Sequence, residues 1–274
     1  MSLLRLTFLG TSAAQPTLHR GLSGLAVKAD ADLLLFDCGE GSQRQMVRFG
    51  TGFTVDAAFF THFHADHYLG IIGFLRTLGM MGRTSPMHLY GPAPARRLLH
   101  QAVHLGLEST AFPVEIHELK DGDVVRRGGY AVHAVGVDHR IHALGYVLAE
   151  DDRPGKFHLE KARALGVPEG PAFGKLQKGE PVTLEDGRVV KPEDVLGEAR
   201  SGRRLVISGD TRPCPALVHA SKDADLLVHE STFSDVSSRH DTDPGKLLTQ
   251  AREAYKGPVE VAFDGLTVEL PLRD

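Results

Sequence analysis

The chain has 274 residues, 42% of them hydrophobic and 24% charged, an ordinary globular balance that excludes a disordered or collagen-like protein. A formal net charge of −4 excludes a generally basic nucleic-acid coat but leaves room for a local basic patch. No apolar run reaches the ~18 residues that cross a bilayer, and the two cysteines, Cys38 and Cys214, give no disulfide framework, so a reducing cytoplasm is expected.

In chain order, residues 3–9 read as a strand ending at Gly10, with further strands at 24–28 and 32–37. The last of these, DLLLFD, is a continuous apolar run suited to a strand covered on both faces. Residues 38–49 open with glycines and become a helix, and the strand at 55–61 leads directly into a histidine-rich loop. A helix at 70–78, a strand at 87–90, a helix at 94–104 and strands at 114–118 and 130–137 follow. This alternation predicts an α/β sandwich built as one domain. From Asp151 to Gly202 the chain turns rich in Gly, Pro, Lys, Glu and Asp, with one short helix at 159–165 and otherwise no core-forming period. Strands resume at 204–208 and 225–229, a helix covers 244–255, and 259–270 reads as strands around the turn Asp264–Gly265.

The densest chemistry is Thr61-His62-Phe63-His64-Ala65-Asp66-His67, four metal donors within six residues directly after a strand. Neutral imidazoles and carboxylates are zinc ligands, and a tight loop brings them to one point without long-range precision. His62 and His64 can hold one ion while Asp66 and His67 hold its neighbour, and ions about 3.5–4 Å apart can activate water and clamp a phosphoryl group. A polar loop with chance histidines is the bland alternative, which so many donors in one loop argue against. His139 and Asp210 also follow strands, where open α/β sheets gather ligands.

The strand followed by HxHxDH resembles the metallo-β-lactamase superfamily, which implies the αββα sandwich of that fold. The resemblance implies that His139 completes the first metal's set and that Asp210 bridges both ions. It narrows to the ribonuclease Z family, tRNA 3′-end endonucleases, through LTFLGTSAAQPT (6–17), FDCGEGSQRQM (36–46), VDHRIHALGY (137–146), SGDTRP (208–213) and LLVHESTF (226–233). The segment 151–202 is similar to that family's flexible arm, with GVPEGPAFGKLQKGE (166–180) matching its Gly-Pro exosite. The family then implies a two-zinc enzyme, manganese or another divalent ion being the alternative, that removes the 3′ trailer of precursor tRNA as a cytoplasmic homodimer. Asp66 becomes the proton acceptor and Glu230 helps protonate the leaving group. Gly170, Pro171, Lys175 and Lys178 become RNA contacts in the arm. Lys156, Lys161 and Arg163 add positive charge there, although nearby acidic residues offset much of it. The remaining histidines, among them His88, His100, His104, His117 and His219, are expected at the surface or in packing.

After Glu230 the family pattern breaks. HESTFSD (229–235) runs straight into VSSRHDTDP (236–244), where the family carries about thirty residues, the size of one supersecondary unit, with two histidines. The junction Asp235–Val236 marks a stretch absent from this sequence, a true deletion, or a site in which Asp235 or His240 substitutes. The first is favoured, because deleting a strand and helix would expose core. Two other functions remain open: a small-molecule phosphodiesterase on the same fold, or a non-catalytic RNA-binding homologue if the two histidines are lacking.

Overall fold

Residues 3–106, 110–232 and 244–273 are described by the structure, a computed structural model. The chain begins with an antiparallel meander, Leu4–Gly10 (β1), Gly24–Ala29 (β2) and Asp32–Cys38 (β3). From β3 onward the connections carry helices and the strands run parallel. Ser42–Phe49 (α1) leads to Ala57–Phe59 (β4), Ala65–Tyr68 (α2) and Gly70–Met80 (α3) lead to Met87–Pro92 (β5), and Ala95–Val103 (α4) leads to Val114–Leu119 (β6). A second sheet follows from Val124–Arg127 (β7), Tyr130–Gly136 (β8) and Leu144–Glu150 (β9).

The arm then contributes Leu159–Ala164 (α5), Pro171–Gln177 (α6), the hairpin Val182–Thr183 (β10) with Val189–Val190 (β11), and Pro192–Val195 (α7). Arg204–Ile207 (β12), Pro215–Ala220 (α8) and Leu226–Val228 (β13) complete the second sheet and its outer cover. Pro244–Ala254 (α9) and Thr267–Glu269 (β14) close the chain. The strand orders are β14-β1-β2-β3-β4-β5-β6 and β13-β12-β9-β8-β7.

Strand alternation sorts the side chains into layers. On one face of the first sheet Leu9, Leu33, Leu35 and Ala58 pack against Met46, Phe74, Leu78 and Leu99 of the helices. On the other, Leu34, Phe36, Ala57 and Phe59 meet Val132, Leu144, Tyr146 and Leu205 of the second sheet. Leu217 and Ala220 of α8 then cover Val147 and Val206. These layers are the αββα sandwich expected, and Leu33 through Cys38 are buried without interruption, as DLLLFD predicted. Both cysteines are free, and burial pushes the Cys38 thiol up to about 12.

Three expectations change. The strand at 55–61 is only Ala57–Phe59, because the chain leaves the ladder to form the histidine loop. Of 259–270, only Thr267–Glu269 forms a strand among the described residues; the turn before it plugs Asp264 into Thr11 Oγ1, Gly21 N and Gln45 Nε2, which donate to it at 2.7, 2.6 and 2.6 Å. The arm also has a core of its own: Ala162, Val167, Leu176, Val182, Leu184, Val190 and Val195 are buried together, with Phe157 and Phe173 against them. These apolar residues are spread over three short helices and a hairpin, so no single period exposes them in the sequence.

Candidate active site

The buried β4 ends at a point where Thr61 is held from three sides. Its amide donates to Asp37 Oδ1 at 2.8 Å, its hydroxyl to Asp37 Oδ2 at 2.9 Å, and its carbonyl accepts from Leu144 N at 2.8 Å. The last bond crosses to the second sheet, as does the Tyr146 hydroxyl donating to Phe60 O at 2.6 Å. The histidine loop is therefore anchored to both sheets before its first donor. Gly39, which follows β3, lies under the same loop: a Cβ there would stand 2.3 Å from Asp66 O, and one on Gly70 would stand 2.1 Å from Gly39 O. Gly39 of the CGEG turn and Gly70 after Leu69 are thus required by backbone contact, and Gly41 by its φ of 87°.

Three imidazoles converge. His62 Nε2 lies 3.0 Å and His139 Nε2 3.3 Å from His64 Nδ1. Asp210 Oδ2 is 3.8 Å from His62 Nε2, and donor atoms of all four residues lie within 4.8 Å of one another. On the other side of Asp210, its Oδ1 is 3.6 Å from His67 Nε2, which is itself 3.5 Å from Asp66 Oδ2. Asp210 arrives from the loop after β12, where Gly209 has φ 61° and a Cβ would stand 2.7 Å from Thr61 Cβ. Arg212 ties this loop to the one carrying His139: its amide donates to Asp138 O at 2.8 Å and its guanidinium to Asp138 Oδ1 at 3.2 Å.

Electrostatics separates the donors. Burial, with His67, His139 and His64 nearby, lowers His62 to about 2. His67 is buried too, but Asp37 more than compensates, with Asp210 and Asp66 adding to it, and raises it to about 9. Burial lowers His139 and raises Asp210, the latter with Glu230, Asp37 and Asp66 close by. Three imidazole nitrogens and a carboxylate aimed at one point are a donor set that a divalent cation satisfies, so the residues fit a metal.

Asp37 had no role in the sequence reading. Its Oδ2 stands 2.7 Å from His67 Nδ1, the carboxylate–imidazole arrangement that orients a ligating histidine and sets its tautomer. The signal was present: an acidic residue between a buried strand and a glycine turn, and φ is 57° there. Asp37→Ala is expected to lower metal retention by about 10–100-fold, measured as metal per chain after dialysis against a chelator. Retention equal to wild type would show that His67 needs no such support.

Glu230, just after β13, donates its amide to Ser208 Oγ at 3.1 Å and accepts Thr232 N on Oε2 at 2.7 Å. Its charge reaches His139 and Asp210. Gly170, Pro171, Lys175 and Lys178 belong to the arm, where all four are exposed around α6. Arg163 is engaged by Glu169 and Glu160 at 2.9 and 3.2 Å, which removes it from the expected positive surface. Phe233, Asp235, His240 and the junction lie outside the described residues.

A family model described as Anti-Pycsar protein Apyc1 matches residues 4–148, stopping short of the arm. A solved structure of YhfI from Bacillus subtilis, a metallo-beta-lactamase fold protein, matches with TM-score 0.69 at 14% identity over 98% of this chain and 100% of that one. The short form of human tRNase Z matches with TM-score 0.68 at 22% identity, again over 98% and 100%. Ribonuclease Z of Myxococcus xanthus is 77% identical over all of both chains, and that of Gemmatimonas aurantiaca is 49% identical over 99% of this chain and 97% of its own. The fold, with its histidine and aspartate cluster at the strand ends, defines a metallo-β-lactamase-fold protein. Within that class, the chain belongs to the ribonuclease Z family. The Myxococcus alignment spans 307 positions against 274 residues here, a difference of 33 positions without a residue of this chain.

Proposed function

We propose that this chain is a metal-dependent endoribonuclease that removes the 3′ trailer of precursor tRNA, cutting on the 3′ side of the discriminator base. The observation that carries the reading is the convergence of His62, His64, His139 and Asp210, with Asp66 and His67 adjoining, in a ribonuclease Z family chain. His62, His64, His139 and Asp210 would hold one ion, and Asp66, His67 and Asp210 a second; imidazole with carboxylate favours zinc, and manganese is the alternative. When bound, such ions lower the pKa of water and neutralise charge on the phosphoryl oxygens.

The chain's own groups do the rest. Asp66 Oδ2 takes the proton from the attacking water, and Asp37 keeps His67 oriented beside it. Glu230, fixed by the Thr232 amide, serves proton delivery to the leaving ribose oxygen. Lys175 and Lys178, exposed and without an ion pair among the described residues, offer contacts to tRNA phosphates, and Gly170 with Pro171 lets backbone approach them. The reaction belongs in the cytoplasm and the assembly is a homodimer. Among the described residues no helix is long and apolar enough to cross a membrane.

The test pairs two substrates. Precursor tRNA with a 3′ trailer is expected to be cut at one position, and bis-p-nitrophenyl phosphate to be hydrolysed at the same metal centre. Changing Lys175 and Lys178 together to Ala should raise KM for precursor tRNA and reduce the salt slope of binding by about 1–2, leaving bis-p-nitrophenyl phosphate hydrolysis as it was. Parallel losses on both substrates would remove the arm from recognition. Hydrolysis of the small substrate without RNA cleavage would favour the small-molecule reading.

We also infer that the 33 unmatched positions fall at Asp235–Val236, between Glu230 and α9. In support, α9 has no buried residue and β13 none either, as expected of elements whose neighbour is lacking. Intact mass spectrometry of the protein made from its own gene separates the cases. A mass several kilodaltons above 29.7 kDa places the segment in the chain and a full second metal site with it. A mass of 29.7 kDa makes the deletion real, and metal held at the histidine cluster should then fall to about one ion per chain.

A further inference from the structure

Far along the first sheet from the histidine loop in sequence, β5 and β6 form its edge pair, with His88 opposite Glu115 and Tyr90 opposite His117. Period-two alternation puts all four side chains on one face. Tyr90 stacks beside both rings, 4.7 Å from His117 and 6.3 Å from His88, and it belongs to the core between the sheets. This holds the two imidazoles at 5.8 Å, centroid to centroid.

One ring nitrogen each of His88 and His117 and a Glu115 carboxylate oxygen all lie within 4.8 Å of one another. Nδ1 of His88 is 3.3 Å and Nε2 of His117 is 3.8 Å from Glu115 Oε2. Donors bonded at about 2.0–2.1 Å around a tetrahedral ion stand about 3.3 Å apart, so small side-chain rotations bring the three into that arrangement. Both nitrogens are buried atoms with no hydrogen-bond partner, although their rings are partly exposed. Unpartnered buried polar atoms are uncommon in native folds and need a reason.

We propose that His88, Glu115 and His117 form a second metal site, separate from the hydrolytic centre, that takes one zinc-class divalent transition ion. Two imidazoles select against magnesium and calcium, which prefer all-oxygen shells. Three protein donors leave the fourth position to water. An ion held there joins the edge strand β6 to β5, and it satisfies both orphan nitrogens. The site is independent of the catalytic reading.

The test uses the full chain, stripped of metal, reloaded with Zn2+ and passed through a desalting column before metal is counted by plasma mass spectrometry. Wild type is expected to hold one more zinc per chain than His88→Ala or His117→Ala, while both variants keep wild-type rates on bis-p-nitrophenyl phosphate. His64→Ala should retain the edge ion, and adding Zn2+ should raise its Tm more than that of the His64→Ala, His117→Ala double variant. Equal zinc counts in wild type, His88→Ala and His117→Ala overturn the site. Equal uptake of Mg2+ in place of Zn2+ overturns its assignment to the zinc class.

Discussion

Asp66→Asn is expected to slow precursor tRNA cleavage by about 10²–10⁴-fold, the range lost when a positioned proton acceptor is removed. The residue lies in the first turn of α2, and its backbone carbonyl is packed against Gly39, so the amide should occupy the same place. What changes is the charge and basicity at Oδ2, 3.5 Å from His67 Nε2, which weakens both proton uptake and the donor set for the second ion. Single-turnover cleavage at saturating enzyme isolates that step, and gel-shift binding of the same RNA should stay within about twofold of wild type. If binding falls as far as cleavage, Asp66 holds the loop together rather than moving a proton.

Arg203→Ala is expected to cost about 3–5 kcal/mol of stability, the range found when one partner of a buried ion pair is removed. Arg203 is 2% exposed and Glu150 12%, and they meet as a fork: Nε donates to Oε2 at 2.7 Å and Nη2 to Oε1 at 2.5 Å. A third donor, Nη1, reaches Leu270 O at 2.7 Å, beside β14. The pair flanks the arm, which leaves the sheet after Glu150 and returns at Arg203, where Glu150 N donates to Arg203 O at 3.0 Å. Losing the guanidinium therefore removes the two charged contacts of the Glu150 carboxylate at the arm's root, leaving the Arg203 amide on Oε2 at 3.2 Å, and removes the Nη1 bond to Leu270 O. Urea unfolding followed by circular dichroism reads the change. A loss under about 1 kcal/mol would mean that water reaches Glu150 and screens it.

Much of the site was legible because metal chemistry leaves a compact signature. His62, His64, Asp66 and His67 occupy six residues of one loop, so their meeting needs only a turn at the end of β4. His139 and Asp210 were readable as residues following strands, although their meeting with that loop required the family resemblance. Asp37 escaped because its partner, His67, is 30 positions away and nothing local marks a carboxylate as an orienting group. The edge cluster escaped for the same reason. His88 and His117 look like scattered surface histidines until parallel pairing of β5 with β6 sets them in register with Glu115.

By itself, the sequence determined the α/β class, the positions of most strands and helices, and the donor loop, because each depends on periodicity or on neighbours a few residues apart. Only the tertiary structure decided that the arm closes on its own core, that Asp37 reaches under Thr61 to His67, and that Asp210 stands between the two donor sets. Each of these is a contact between segments distant in the chain. Such contacts are selected by packing and register across the sheets, which local propensity does not encode.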